Sequence, residues 1–175
     1  MPEEPCGYDR EQGMAPFATA CLTVSDRCAA GDREDRSGPL LVSLAQSMGG
    51  RVDHTAVVPD ELDTIRETLE TWLAGDPPPR LILTTGGTGP ARRDVTPEAT
   101  EPLLEKRLPG VEEALRRSGL PGVPAALLGR GLAGTAGQTL IVNLPGSPGA
   151  IADAGAVLPD LVGHILTLLA PEDRE

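Results

Sequence analysis

The spacing of apolar and polar residues divides the chain into two kinds of segment. Phe17–Val24 (FATACLTV), the run that opens at Leu81 (LILTT) and Thr139–Leu144 (TLIVNL) are apolar or small almost throughout. Runs this short, closed off by Gly, Pro and polar clusters, predict strands buried on both faces. Arg51–Val58 alternates loosely and predicts another strand. Between them the period becomes helical. Leu40, Leu41, Leu44, Ala45 and Met48 share one face, with Ser37 as the expected cap, Pro39 in the first turn and Gly49-Gly50 as the stop. Leu62, Ile65, Leu69 and Trp72/Leu73 mark a second helix that Gly75 and Pro77–Pro79 end. Asp60 stands where its N-cap belongs, with Asp63 three residues on.

Farther along, Thr96 or Thr100 is placed to cap a helix, with Pro97 or Pro102 in its first turn. Leu103–Leu108 is short and ends at Pro109-Gly110, and Val111–Ser118 supplies another helical turn or two. Leu120–Ala136, rich in Gly, Pro and Ala, predicts an irregular path with an edge strand near Ala125–Leu128. Ser147 is expected to cap a last helix, Gly149–Leu169, which Pro159 kinks or splits. His164 beside its apolar face and His54 in the second strand read as packing or surface residues. Residues 1–15 and 171–175 read as tails around a single domain at 16–170.

Strand and helix alternate, and the strands are too apolar for an antiparallel meander. The expected architecture is therefore α/β, a mostly parallel sheet with helices on both sides. In such a sheet the carboxyl ends of the strands share one edge, where ligands bind. That edge would collect Ser25-Asp26-Arg27, Asp60, the loop after Leu81 and Asn143–Ser147. The richest of these is Leu81–Thr100 (LILTTGGTGPARRDVTPEAT). Its glycines permit positive φ, bring backbone close to a ligand and expose N–H groups. Two arginines and Asp94 follow at once, which a purely structural turn would not need.

Charge sharpens this picture. The chain of 175 residues has 26 acidic against 15 basic residues, a formal net charge of −11. That balance argues against a nucleic-acid or anionic-membrane surface, and an anionic ligand would need locally gathered cations or a metal. Three cysteines, Cys6, Cys21 and Cys28, without CxxC spacing read as reduced thiols, neither a disulfide frame nor a zinc site. No apolar run approaches a membrane span, and the start has no basic-then-apolar leader, so a cytoplasmic protein is expected. The one lysine, Lys106, lies outside the glycine loop, which removes a P-loop, and the GxGxxG fingerprint is missing. Two carboxylates on loops at one crevice, Asp60 and Asp94, with glycine N–H groups and arginines beside them, suit Mg²⁺ shared with phosphate oxygens. The residues alone thus point to a Mg²⁺-dependent phosphoryl or nucleotidyl transferase, or to a small-ligand binding module using the same loop without chemistry.

The stretch TTGGTGPARRDVTPEAT resembles the signature of the MogA/MoaB family of molybdenum-cofactor biosynthesis proteins. Val24-Ser25-Asp26-Arg27, Asp35-x-Ser37-Gly38, Val58-Pro59-Asp60-Glu61 and Asn143-Leu144-Pro145-Gly146-Ser147-Pro148 match in the same order, from about Ala18 to Leu169. The resemblance implies a three-layer α/β/α fold, a homotrimer, and molybdopterin adenylyl transfer, in which Mg-ATP and molybdopterin give adenylylated molybdopterin and pyrophosphate. Other proteins of molybdenum-cofactor biosynthesis are implied as partners. By motif, Asp60 and Asp94 are the catalytic aspartates that hold Mg²⁺. Thr85, Gly86, Gly87, Thr88 and Gly89 hold nucleotide and phosphate. Ser25, Asp26, Thr96, Asn143, Pro145, Gly146 and Ser147 contact the pterin. Two departures stand out: Gly129-Arg130-Gly131 lacks a hydroxyl residue beside its arginine, and Thr135-Ala136-Gly137 lacks a cation that would serve the pterin phosphate. A catalytically weak, MoaB-type molybdopterin-binding protein is the alternative.

Overall fold

In β1 (Phe17–Val24), Cys21 turns to one side of the sheet and Ala20, Leu22 and Val24 to the other. The two-residue period of a strand requires this. The same split divides Leu81 and Leu83 from Ile82 in β3 (Leu81–Thr85), and Leu140 and Val142 from Ile141 in β6 (Thr139–Leu144). Both faces of the central strands are thus buried, which is why they read as continuous apolar runs. The computed structural model describes residues 15–120 and 122–170. The two expected tails, apart from Ala15, and Cys6 lie outside the described residues.

Six strands form one sheet in the order β2-β1-β3-β6-β5-β4. Here β2 is Gly50–Val58, β4 Lys106–Arg107 and β5 Ala133–Ala136, and one helical turn, α1 (Asp26–Ala29), follows β1. The four strands from β2 to β6 are parallel, and β5 and β4 continue the sheet antiparallel. One face carries α2 (Ser37–Ser47), α5 (Pro109–Ser118), α6 (Pro148–Ala154) and α7 (Leu158–Leu168), whose Leu41, Val111, Ile151 and Val162 join the larger core. The other carries α3 (Leu62–Leu73) and α4 (Thr96–Thr100) through Ile65, Leu69 and Ala99. The three-layer α/β/α expectation holds.

Several local expectations change. Ala125–Leu128 is not an edge strand but part of a 3-10 turn, Pro124–Leu128, with Leu127 and Leu128 exposed. The edge is instead β4, two residues long, after a short 3-10 turn at Glu101–Leu103 in place of any helix there. Ser37 does not cap α2 but is its first residue. Arg36 occupies the N-cap position without a side-chain cap bond, and Asp35, one residue earlier, covers the open amides: its Oδ1 accepts from Ser37 N (3.0 Å) and Gly38 N (2.8 Å). The last helical segment splits with a 61° bend, and the break falls at residues 155–157. Pro159 sits in the first turn of α7, where its missing N–H costs nothing. His54 stacks on Trp72 with centroids 6.1 Å apart, in keeping with a packing role. Among the described residues no single helix is long and apolar enough to cross a membrane.

Candidate functional site

The parallel register sets the carboxyl ends of four strands side by side. Val24 pairs with Val58, Thr23 with Thr85, and Thr85 with Leu144. The chain goes from β1 outward to β2 and then returns past β1 to β3, so the winding reverses between β1 and β3. Loops splay apart at such a reversal and leave a crevice. Here it opens into a cavity of about 650 Å³.

Hydrogen bonds from buried hydroxyls and amides fix the loop after β3. Gly86 N donates to Leu144 O (3.1 Å), and Thr85 Oγ1 to Pro145 O (2.8 Å). Thr96 Oγ1 donates to Gly86 O (2.9 Å) and its amide to Gly87 O (3.0 Å). The turn demands glycine. Gly86 has φ 100°, and a Cβ there would lie 2.1 Å from Val24 O. Gly87 has φ 62°, and its Cβ would meet Thr96 Oγ1 at 2.4 Å.

Asp60 does not cap α3. Glu61 occupies the N-cap position and makes no side-chain cap bond. Asp60 instead forms a reciprocal pair with Asp26: Asp26 N donates to Asp60 Oδ2 (2.9 Å), and Asp60 N to Asp26 Oδ1 (3.0 Å). Arg93 then grips Asp26 with both arms of its fork, Nε to Oδ2 at 3.0 Å and the terminal nitrogen to Oδ1 at 2.6 Å. Those hydrogen bonds pull the Asp26 carboxyl below the usual carboxylate range. Partial burial pushes Asp60 up, and the charges of Asp26 and Asp94 add to the rise. Across the loop, Asp94 Oδ2 accepts from Ala91 N (3.0 Å). Each aspartate thus commits one oxygen to its own placement, and Oδ1 of each accepts no hydrogen bond among the described residues.

Of the residues singled out from sequence, Ser25, Asp60, Thr85–Gly89, Asp94, Asn143 and Pro145–Ser147 line the cavity. Asp26 and Thr96 do not. Asp26 positions Asp60, and Thr96 is fully buried under the glycine loop. Asn143 is buried too, with every arm engaged. Nδ2 donates to Thr84 Oγ1 (3.0 Å) and Thr100 Oγ1 (3.2 Å), and Oδ1 accepts from Leu132 N (3.2 Å). Its hydrogen bonds brace the site from below. Ser25 and Ser147 each cap a helix, accepting from Cys28 N (3.3 Å) and Ala150 N (3.2 Å).

Sequence reasoning missed the cations that an acidic chain must gather. Arg33 and Arg36, from the charged loop before α2, and Arg116, on α5, all line the cavity. The density of charge in Cys28–Arg36 was the available signal; Arg116 had none. The departure at Thr135-Ala136-Gly137 proves remote. Gly137 turns the β5–β6 hairpin at the amino end of β6, the opposite end of that strand from Asn143 and Pro145 at the cavity, and residues 135–137 do not line it.

No group of three or more His, Cys, Asp and Glu able to hold a metal occurs among the described residues. A closed protein cage is therefore not on offer. Two carboxylates with open oxygens fit Mg²⁺, which keeps waters and takes one or two carboxylates plus substrate phosphates.

Fold and site together define an α/β protein with a cavity at the carboxyl edge of its parallel strands, lined by a glycine loop, carboxylates and arginines. Residues 20–162 match the family model described as "Probable molybdopterin binding domain", and the chain belongs to that family, whose members include MogA and MoaB. It is 40% identical over 150 residues to a molybdopterin adenylyltransferase of Haemophilus influenzae, covering 83% of this chain and 74% of that one. It is 42% identical over 163 residues to the molybdenum cofactor synthesis protein cinnamon of Drosophila melanogaster, covering 91% of this chain but 26% of that protein. It also spans about half the length of matching relatives from Pyrococcus furiosus (48%) and Chlorobaculum tepidum (48%). Among solved structures, the molybdopterin biosynthesis enzyme MoaB of Thermus thermophilus superposes with a TM-score of 0.81 at 40% identity, covering 87% of this chain and 96% of that one.

Proposed function

We propose that this chain is a molybdopterin adenylyltransferase, moving AMP from ATP to molybdopterin with release of pyrophosphate. The observation that carries the reading is the pair Asp60 and Asp94, which both line the cavity beside the glycine loop and each keep one carboxylate oxygen that accepts no hydrogen bond among the described residues. An oxygen of the molybdopterin phosphate attacks the α-phosphorus of ATP. The bond to the β-phosphate oxygen breaks, and pyrophosphate leaves with that electron pair. The amides of Gly87, Thr88 and Gly89 and the cations Arg33, Arg36 and Arg116 hold phosphate charge and keep the two reactants aligned, while the Gly86 amide stays on Leu144 O. Pro145–Ser147 and Ser25 border the pterin. Asp60 and Asp94 would hold Mg²⁺, which supplies charge neutralisation at the transferring phosphorus. The protein works as a cytoplasmic homotrimer alongside other proteins of molybdenum-cofactor biosynthesis. A trimer mass in light scattering is expected, and a monomer mass at working concentration would remove that part.

A second reading is a MoaB-type protein that binds molybdopterin with weak or no turnover, because overall identity does not separate the two kinds. The adenylyltransferase relative and the MoaB structure match this chain at the same 40% identity. Purified protein given Mg-ATP and molybdopterin should release pyrophosphate. Tight pterin binding without pyrophosphate would instead select the binding protein.

A further inference from the structure

Gly129-Arg130-Gly131 leads from the 3-10 turn into β5 and runs against the glycine loop. Gly131 is pressed so closely on β6 that a Cβ would lie 2.5 Å from Asn143 O, which brings the segment within reach of Thr88. Arg130 then makes contact with three carbonyls of one loop. Its amide donates to Thr88 O (2.8 Å), its Nε to Gly89 O (2.8 Å) and a terminal nitrogen to Asp94 O (2.8 Å). The other terminal nitrogen pairs with Glu98 in α4. Gly89 and Asp94 are the two ends of the Pro90–Arg93 turn, so one guanidinium spans that turn from end to end.

Inside the turn, Asp94 N donates to Ala91 O (3.0 Å) and Ala91 N donates to Asp94 Oδ2 (3.0 Å). A Cβ on Gly89 would meet that same Oδ2 at 2.8 Å. The shape of the turn and the position of the carboxylate are therefore one quantity. We propose that Arg130 is a positioning residue whose fork holds both ends of this turn and thereby sets where Asp94 presents its open oxygen to the nucleotide phosphates. The role rests on the adenylyl-transfer reading.

Three features set this apart from general stabilisation. The Arg130 side chain is 37% exposed, and an ion pair as open as Arg130–Glu98 adds little to folding. Its backbone acceptors all belong to the loop that carries Asp94. Lysine could satisfy one of these carbonyls but has no planar fork to span two.

The test compares wild type with Arg130→Ala, Arg130→Lys and Glu98→Gln by hydrogen–deuterium exchange and by pyrophosphate release. Arg130→Ala should lose protection at the amides of Ala91, Asp94 and Thr96 while β1 and β3 stay protected. Its kcat should fall on the order of 10–100-fold, as for other residues that orient a ligand-holding group, with little change in KM for molybdopterin. Arg130→Lys should restore no more than part of either signal. Glu98→Gln, which leaves the fork on both carbonyls, should stay within about 3-fold of wild type, on the footing that an exposed pair contributes little. Undisturbed protection, or wild-type kcat in folded Arg130→Ala or Arg130→Lys, would overturn the proposal. Should Arg130→Ala not fold, Arg130→Lys decides alone. A wild type that releases no pyrophosphate defeats the functional reading, while the exchange data still judge the clamp.

Discussion

Asp60 and Asp94 border the same cavity, but the chain holds them by different means. Asp60 takes its place from Asp26, a residue 34 positions earlier on a different strand end, and Asp26 in turn leans on an exposed arginine. Asp94 is fixed within four residues by its own turn, with Arg130 closing that turn from outside. A locally built group keeps its geometry when its own charge is removed. A group built through an exposed ion pair inherits whatever happens to that pair. The two carboxylates should therefore fail differently under substitution, and the differences can be measured.

The largest effect is on turnover. Asp94→Asn and Asp60→Asn should each lower pyrophosphate release by about 10²–10³-fold, the range for removing one preorganised charge-stabilising group. Near-wild-type rates in either would refute its assignment. Next comes the loop between them. Gly86→Ala should cost roughly 3 kcal/mol in urea unfolding, since it adds a side chain to a positive-φ residue already in contact with Val24 O. Gly137→Ala, also at positive φ but with nothing within 4 Å, should cost only about 1 kcal/mol. Equal losses would show that backbone conformation alone, and not the close approach, demands glycine.

Smaller effects separate the two supports. Asp26→Ala removes the acceptor of Asp60 N and the anchor of Arg93, and should lower kcat about 10-fold. Asp26→Asn, which keeps an acceptor, should lose less; a wild-type rate in Asp26→Ala would mean that Asp60 needs no such support. The finest distinction is in stability against pH. The Asp60 carboxyl sits above its ordinary value in the folded protein, so the neutral form is favoured there. Its contribution to stability is fully present below the unfolded value and is lost as pH rises through the folded one. Asp60→Asn, which keeps an oxygen for Asp26 N, should therefore melt at or above wild type near neutral pH. That gain should close below the unfolded carboxylate range, about pH 4. Asp94→Asn, which keeps an oxygen for Ala91 N, should change stability at pH 7 by less than about 0.5 kcal/mol. A lower melting temperature for Asp60→Asn at pH 7 would contradict this account.

Much of the fold was legible because its strands are buried on both faces. Phe17–Val24 and Thr139–Leu144 coincide with β1 and β6 as read from the apolar runs. The convergence of four polar turns also followed from a parallel sheet. What was not legible depends on contacts between distant residues. A two-residue strand such as β4 carries no period at all and exists only because β5 lies beside it. Asp60 has the spacing of an N-cap, and only the folded chain shows Asp26 taking its carboxylate instead. Arg130 stands 36 residues from Asp94, in a Gly-rich stretch without periodicity, so nothing local announces the clamp.

The sheet's two margins carry a consequence for behaviour at high concentration. A strand with one open flank offers bare amides and carbonyls to any other strand it meets, and such edges seed aggregates unless they are blunted. Here the β4 margin is only two residues long, and both, Lys106 and Arg107, are exposed and cationic. The β2 margin is nine residues long but carries the exposed Arg51–Asp53 ion pair, and its register slips by one residue opposite Thr19 and Ala20. A charged, irregular edge pairs poorly with a copy of itself. One margin is guarded by brevity and the other by charge and misregister, so crowding the protein should not readily convert its sheets into a continuous ladder.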